Sequence, residues 1–157
     1  MAPDSFEESP GHEEGQDSLL TERQLKVLKL RMQGLSQADV AEMLGTTRSN
    51  ISILEKRAHQ NIARAERTLQ QWMMIRAPIC LQAKAGMDVF DLPGKIFEAA
   101  DKRSLRLPVT SMDIIVQLRR KAPRIFKKRV LERDAEIFVT EDGEILVEVT
   151  LGDDTIE

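Results

Sequence analysis

Residues 21 to 56, TERQLKVLKLRMQGLSQADVAEMLGTTRSNISILEK, decide the N-terminal half of the fold. They spell helix, turn, helix, turn, helix. Thr21-Glu-Arg-Gln24 is a capping box, in which the Thr hydroxyl accepts from an early amide and Gln24 reaches back. Leu25, Leu28 and Met32 follow at helical spacing, Val27 widens the stripe, and Gly34 supplies the stop. A second box, Ser36-x-x-Asp39, opens the next helix, and Gly45 closes it. Ala41 is small where two helices cross, and Gly45 can take the positive φ that a tight turn demands. Val40, Leu44, Ile51 and Leu54 fill the wedge between the helices. This is the pattern of a helix-turn-helix.

Thr46 or Thr47 caps a third helix, and no Gly or Pro interrupts it before Pro78. From Thr47 to Trp72 such a helix would be about 39 Å long, more than one groove crossing uses. Its C-terminal half therefore has a second task. Ala58, Ile62, Ala65, Leu69 and Trp72 alternate steps of four and three, the seam spacing of a coiled coil or of a helix docked on a neighbour. A homodimer is one expectation from that seam. Docking on the C-terminal part of the same chain is the other.

Around this helical block the composition shifts twice. Residues 1 to 17 hold six acids and no Lys or Arg, residues 18 to 76 hold ten basic and five acidic residues, and residues 77 to 157 hold thirteen and fifteen. The net charge of -3 thus conceals a basic helical segment between two acidic ones. With few large apolar groups, residues 1 to 17 read as a disordered tail, and residues 152 to 157 as a second tail. Residues 18 to 60 read as the helix-turn-helix domain and 61 to 76 as its helical extension. Residues 77 to 151 form a C-terminal unit.

That unit reads as α+β, which sets the class of the whole chain. Ile79, Leu81 and Ala83 alternate with Cys80, Gln82 and Lys84 as a strand does, and Gly86 breaks the pattern. Asp91-Leu92-Pro93 starts a helix, with Asp91 as its cap and Leu92, Ile96, Phe97 and Ala100 on its buried side. Thr110 or Ser111 caps another through Lys121, and Pro123 stops it. In EIFVTEDGEILVEV, residues 136 to 149, Asp142-Gly143 reads as a two-residue hairpin turn. Counting outward pairs Thr140 with Ile145 and Phe138 with Val147, so that Phe138, Ile145, Val147 and Val149 share a face.

The chemistry-bearing residues are few. His12, His59 and Cys80 lie at no metal-ligand spacing, and no glycine-rich phosphate loop occurs, so no cofactor is expected. Asp88 and Asp91 are accounted for by a polar loop and a helix cap. No nucleophile, base and acid recommend themselves for catalysis. A single cysteine rules out an intrachain disulfide, and no apolar run or basic leader points to a membrane, so a cytoplasmic protein is expected.

Helical spacing turns Ile51 and Leu54 inward and leaves Thr47, Arg48, Ser49, Ser52, Ile53 and Lys56 outward at the start of the third helix. Such a face suits the major groove of duplex DNA. Arg48 offers a fork for guanine, Asn50 suits adenine or phosphate, and Ser52 and Ile53 suit small polar groups or a thymine methyl. Gln37 and Thr46 stand at helix N-termini, where phosphate is met.

The same residues carry a family resemblance. LTERQLKVLKLRMQGLSQADVAEMLGTTRSNISILEKRA is similar to the DNA-binding helices of sigma-factor region four and of LuxR-type regulators. GTTRSNIS, AHQNIARAERTLQQW and DVFDLPGKIFEAADK together resemble the archaeal Tfx family of transcriptional regulators, from about Leu19 to Pro123. The resemblance implies a sequence-specific DNA-binding transcription regulator, and it assigns DNA contact to Thr47, Arg48, Ser49 and Asn50. It leaves the C-terminal domain without a role and any small-molecule effector unknown. Two other readings remain: a sigma-like or adaptor protein that chiefly contacts the transcription machinery, and a small enzyme fused to a DNA anchor.

Overall fold

Helix caps written into the sequence delimit the N-terminal elements of the computed structural model, which describes residues 17–150. The expected tails lie outside the described residues, apart from Asp17. Helix α1 (Glu22–Met32) begins at the Thr21 box, with the Gln24 amide donating to the Thr21 hydroxyl and Gln24 Oε1 accepting from the Thr21 amide. Helix α2 (Gln37–Met43) begins at the Ser36 box. Its C-terminus is a Schellman closure: Gly45, at φ +64, donates to Glu42, and Thr46 donates to Ala41. Helix α3 (Arg48–Arg76) starts where the Thr47 hydroxyl accepts from the Asn50 amide, so Thr47 is the cap.

Val27, Val40, Ala41 and Ile51 form the buried centre of this three-helix group, with Leu30, Leu35, Leu44 and Leu54 packed round it. One expectation fails here. Leu25 and Met32 face solvent, Met32 at 87% exposure, whereas Gln24 and Val27 are buried and Arg31 lies half-buried one turn on. The buried row is thus shifted round the helix from the apolar stripe. Gln24 can be buried because its carbonyl oxygen is already satisfied by the Thr21 amide.

The chain divides into two compact units, one running through Thr68 and the other from Leu69, so α3 contributes to both. In the second unit, strand β1 (Ile79–Ala83), helix α4 (Leu92–Lys102) and helix α5 (Ser111–Lys121) precede a two-stranded ribbon, β2 (Phe126–Lys127) and β3 (Val130–Leu131). Strands β4 (Ala135–Val139) and β5 (Ile145–Val149) follow. They join β1 in an antiparallel sheet of order β1-β4-β5. The α+β class is the one expected. Ile79, Ala83, Ala135, Ile137, Val139 and Ile145 turn one face of the sheet toward Leu92, Ile96, Ala100, Ile114 and Leu118 of the two helices. Thr110 caps α5 with a third box, closed by Asp113. Asp91 stands at the start of α4 without a side-chain capping bond, and it is Asp88 that caps, accepting from the Phe90 amide at 3.0 Å. The side-chain cap thus lies one short 3-10 turn earlier than the sequence indicates.

The hairpin differs from expectation by one residue. Val139 pairs with Ile145, Phe138 with Leu146 and Ile137 with Val147, so the loop holds Glu141, Asp142 and Gly143 between Thr140 and Glu144. A three-residue loop with a left-handed glycine in its last position is the next commonest hairpin connection, and EDG fits it as well as the two-residue form. Because strand side chains alternate, the slip moves Phe138 off the core face and puts Ile137 and Val139 there. Helix α5 fixes this register. Gln117 Nε2 donates to the Gly143 carbonyl at 3.1 Å, and Gln117 Oε1 accepts from the Ile145 amide at 2.9 Å.

The opposite sheet face carries Phe138, Leu146 and Glu148, and the last turns of α3 meet it. Gln71, Met74 and Ile75 line a depression there with Phe138 and Glu148. Met74 is the buried residue of that contact, while Leu69 and Trp72 of the expected seam stay exposed. Leu69 and Trp72 therefore take no part in an intrachain dock, whereas Ala58 is buried and Ile62 half-buried. Among the described residues no helix is long and apolar enough to cross a membrane.

Gly143 combines a φ of +80 with a close neighbour, since a Cβ placed there would lie 2.6 Å from Val109 Cγ1. Gly143→Ala is expected to lower stability by about 1–3 kcal/mol through strain and overpacking. Val109→Ala in the same background should restore only part of the loss, because the left-handed backbone remains. Urea unfolding midpoints of the parent and the two variants check both statements.

Candidate nucleic-acid interface

Helix α3 has two faces over its first two turns. Ile51 is fully buried and Leu54 half-buried, and Ala58 continues the inward row. Arg48, Ser52 and Lys56 form a row at intervals of four, with Ser49 and Ile53 beside them, and all five are exposed. Gln37, Arg48, Ser49, Ser52 and Ile53 line one shallow depression at the junction of α2 and α3. The structure thus brings together five of the nine residues singled out from the sequence. Lys56 extends the same row one turn beyond it.

The remaining three form the approach to the helix. Thr47 spends its hydroxyl on the cap, and Asn50 Nδ2 donates to the Thr46 hydroxyl at 3.0 Å. Asn50 lies on the flank of α3 rather than among the outward row, since it is two residues on from Arg48 and opposite Ser52 in phase. One amide hydrogen is held toward Thr46, which leaves the second hydrogen and the carbonyl oxygen for a ligand. Arg48 and Lys56 form no ion pair with another described residue, so the cationic character of the row is uncompensated.

The rotation of α3 about its own axis is set by Glu55, a residue that sequence reasoning passed over. Arg31 Nε of α1 lies 3.1 Å from Glu55 Oε1 and 3.2 Å from Oε2, so it bridges both oxygens. From α2, Gln37 Nε2 donates to Oε2 at 2.9 Å. His59, one turn on, stands 3.9 Å from Oε1. Arg31 also donates through Nη1 to the Leu35 carbonyl at 2.7 Å, tying the first turn to the same hub. The bond from Gln37, followed by those from Arg31 and by the charges of Arg31 and His59, holds the Glu55 carboxyl below its ordinary value against the opposing effect of burial. Gln37, expected as a phosphate contact, therefore has its amide nitrogen engaged inside the protein. The signal available in the sequence was an acid, Glu55, in an otherwise basic helix start, flanked by the inward Leu54.

Comparison with known proteins places this geometry. Residues 18–64 match the family described as Sigma-70, region 4. Residues 65–147 match the family described as DNA_binding protein, TFX, C-term. The chain belongs to the Tfx family. A relative from Methanocaldococcus jannaschii is 37% identical over 130 residues, covering 83% of this chain and 95% of its own. One from Thermococcus kodakarensis is 40% identical over 130 residues, covering 83% and 85%. Both carry the names of transcriptional regulatory proteins. The DNA-binding protein Tfx of Methanothermobacter marburgensis is 33% identical over 132 residues, covering 84% of this chain and 96% of its own. The two family matches meet within α3. The sigma-type helices and the Tfx-specific region thus share one element.

Loss of the hub is expected to be measurable. Glu55→Ala leaves Arg31 and Gln37 without their acceptor and should lower stability by about 1–3 kcal/mol in urea unfolding. A carboxylate whose folded value lies below its unfolded value of 4.5 contributes fully above that value and loses its contribution as pH falls through the folded one. The gap between parent and variant should accordingly be widest near neutral pH and close in acid. A gap independent of pH would mean that packing, not the charge, is what Glu55 supplies.

Proposed function

We propose that this chain is a transcription regulator that binds specific sequences in duplex DNA by laying the N-terminal half of α3 in the major groove. The observation that supports this most is the division of labour on that helix. Its inner side is consumed by core contacts and by the Glu55 hub, while Arg48, Ser49, Ser52 and Ile53 stand exposed round one depression. The naming of the relatives as transcriptional regulatory or DNA-binding proteins agrees with this reading. Arg48, in the first turn, reaches deepest and presents a planar fork to a base edge. Lys56, two turns on, leaves the groove and meets phosphate. Ser49, Ser52 and Ile53 contact bases between them, and Gln37, Thr46, Thr47 and Asn50 approach the backbone at the helix start. A regulator whose helix-turn-helix chiefly contacts the transcription machinery is the second reading, favoured by the match of residues 18–64 to sigma region four.

Selection from a randomised DNA pool separates the two. Arg48→Ala should cost about 1–3 kcal/mol on the preferred site and relax one base position, whereas Lys56→Ala should weaken all sequences alike. Neither should shift the melting temperature, because both side chains are exposed. A parent that enriches no sequence would favour the machinery-contacting reading.

The protein acts as a homodimer in this reading, with the second copy packed along Ile62, Ala65, Leu69 and Trp72. Leu69 is 59% exposed and Trp72 53%, and residues 68 to 75 contain no charged side chain. An uncharged, aromatic and methionine-bearing helix surface has the composition of an interface centre. Light scattering at micromolar concentration should give a dimer for the intact protein and a monomer for Leu69→Glu. A monomeric parent would end the dimer assignment and leave the groove assignment standing.

A further inference from the structure

The second unit carries more acids than bases overall, yet residues 119 to 129 hold seven Lys or Arg and no acid. Three of the seven are used inside the unit. Arg119 donates to the Lys128 carbonyl, Lys121 pairs with Glu144 at 2.8 Å, and Arg129 pairs with Asp88 at 2.6 Å. The other four, Arg120, Arg124, Lys127 and Lys128, are exposed, and none pairs with a carboxylate among the described residues. Lys127 and Lys128 stand at the turn between β2 and β3, where Lys127 pairs with Val130 and two residues make the connection. Lys128 occupies that turn at φ 56, a left-handed conformation that glycine or asparagine adopts more readily.

The frame beneath the turn is firmly held. The Val89 amide donates to the Arg129 carbonyl at 2.7 Å, the Leu131 amide to the Met87 carbonyl at 2.8 Å, and the Gly86 amide to the Leu131 carbonyl at 2.7 Å. Arg129 also lies over the ring of Phe90, 6.0 Å from its centroid. Two features thus coincide at one place: backbone held in an unfavoured conformation by its surroundings, and cationic ends left without partners. Strain of that kind collects at ligand sites, and like charges gathered on a fixed scaffold repel until a polyanion neutralises them.

We propose that the β2–β3 turn, through Lys127 and Lys128, is a second phosphate-binding surface that grips the backbone of duplex DNA without reading its sequence. The proposal rests on duplex DNA being the ligand of α3. It gives the Tfx-specific region a direct part in binding. Two cations on a short ribbon reach successive phosphates, which fix position and affinity but carry no base information.

The test uses the full-length protein and the salt dependence of its binding to a selected duplex. Lys127→Gln with Lys128→Asn keeps a residue suited to the left-handed turn, so the melting temperature should hold. The slope of log K against log salt should flatten by about 1.8, or about 0.9 for Lys127→Gln alone, since each phosphate contact contributes about 0.9. Base preferences should stay as in the parent. Arg48→Ala should retain sequence-indifferent binding that disappears when the two lysine changes are added. An unchanged slope in a parent that binds DNA overturns the proposal and leaves the α3 reading intact; such a result would return the cluster to an acidic protein partner or to solvent. A parent that binds no duplex overturns both.

Discussion

The carboxylate of Glu55 is the constraint on which the N-terminal unit depends. The three helices share a small apolar centre, and a helix packed on such a centre can turn about its axis at little energetic cost. A carboxylate that accepts from Arg31 on one helix and Gln37 on another removes that freedom, because hydrogen bonds are directional where apolar contact is not. The outward row from Arg48 to Lys56 owes its aim to this inward charge.

Continuity between the two units comes from α3, whose faces are divided along its length. Near its start the inner side packs on Val27 and Val40, and the outer side stays free for a ligand. Near its end Met74 is buried beside Phe138, and Trp72 stays out with Arg76 over its ring at 5.6 Å. At 29 residues the helix is about 44 Å long, and its residues belong to both units. The sigma-type and Tfx-type family matches meet within this helix.

The second unit shows how polar side chains choose between packing arrangements of nearly equal apolar merit. Gln117 reads the hairpin loop with both ends of its amide, and Lys121 adds an ion pair to Glu144. On the other side of the unit, Asp88 caps a turn and pairs with Arg129, so the ribbon and the helix entry are held by one residue. In both places a single side chain couples two backbone segments that the sheet alone would leave adjustable.

Much of the fold was legible from residues near one another in sequence. The capping boxes at Thr21, Ser36 and Thr110, the glycine closure at Gly45 and the inward Val40, Ile51 pair depend on bonds spanning a few residues or on one helical period. The outward position of Arg48, Ser49, Ser52 and Ile53 followed from the same period. Their gathering with Gln37 round one depression did not, because it depends on how α2 crosses α3. The buried row of α1 was misread since apolar residues lie on two sides of that helix, and only the position of α2 and α3 selects between them. The hairpin register was misread because EDG suits two loop lengths, and Gln117, some 26 residues upstream, settles which is used. The sequence by itself determined the helices, their caps and the exposed face of α3, because local hydrogen bonds and periodicity define them. Tertiary structure decided the α1 phase, the strand register, the Glu55 hub and the docking of Met74, because each is a choice among locally equivalent states made by a distant partner.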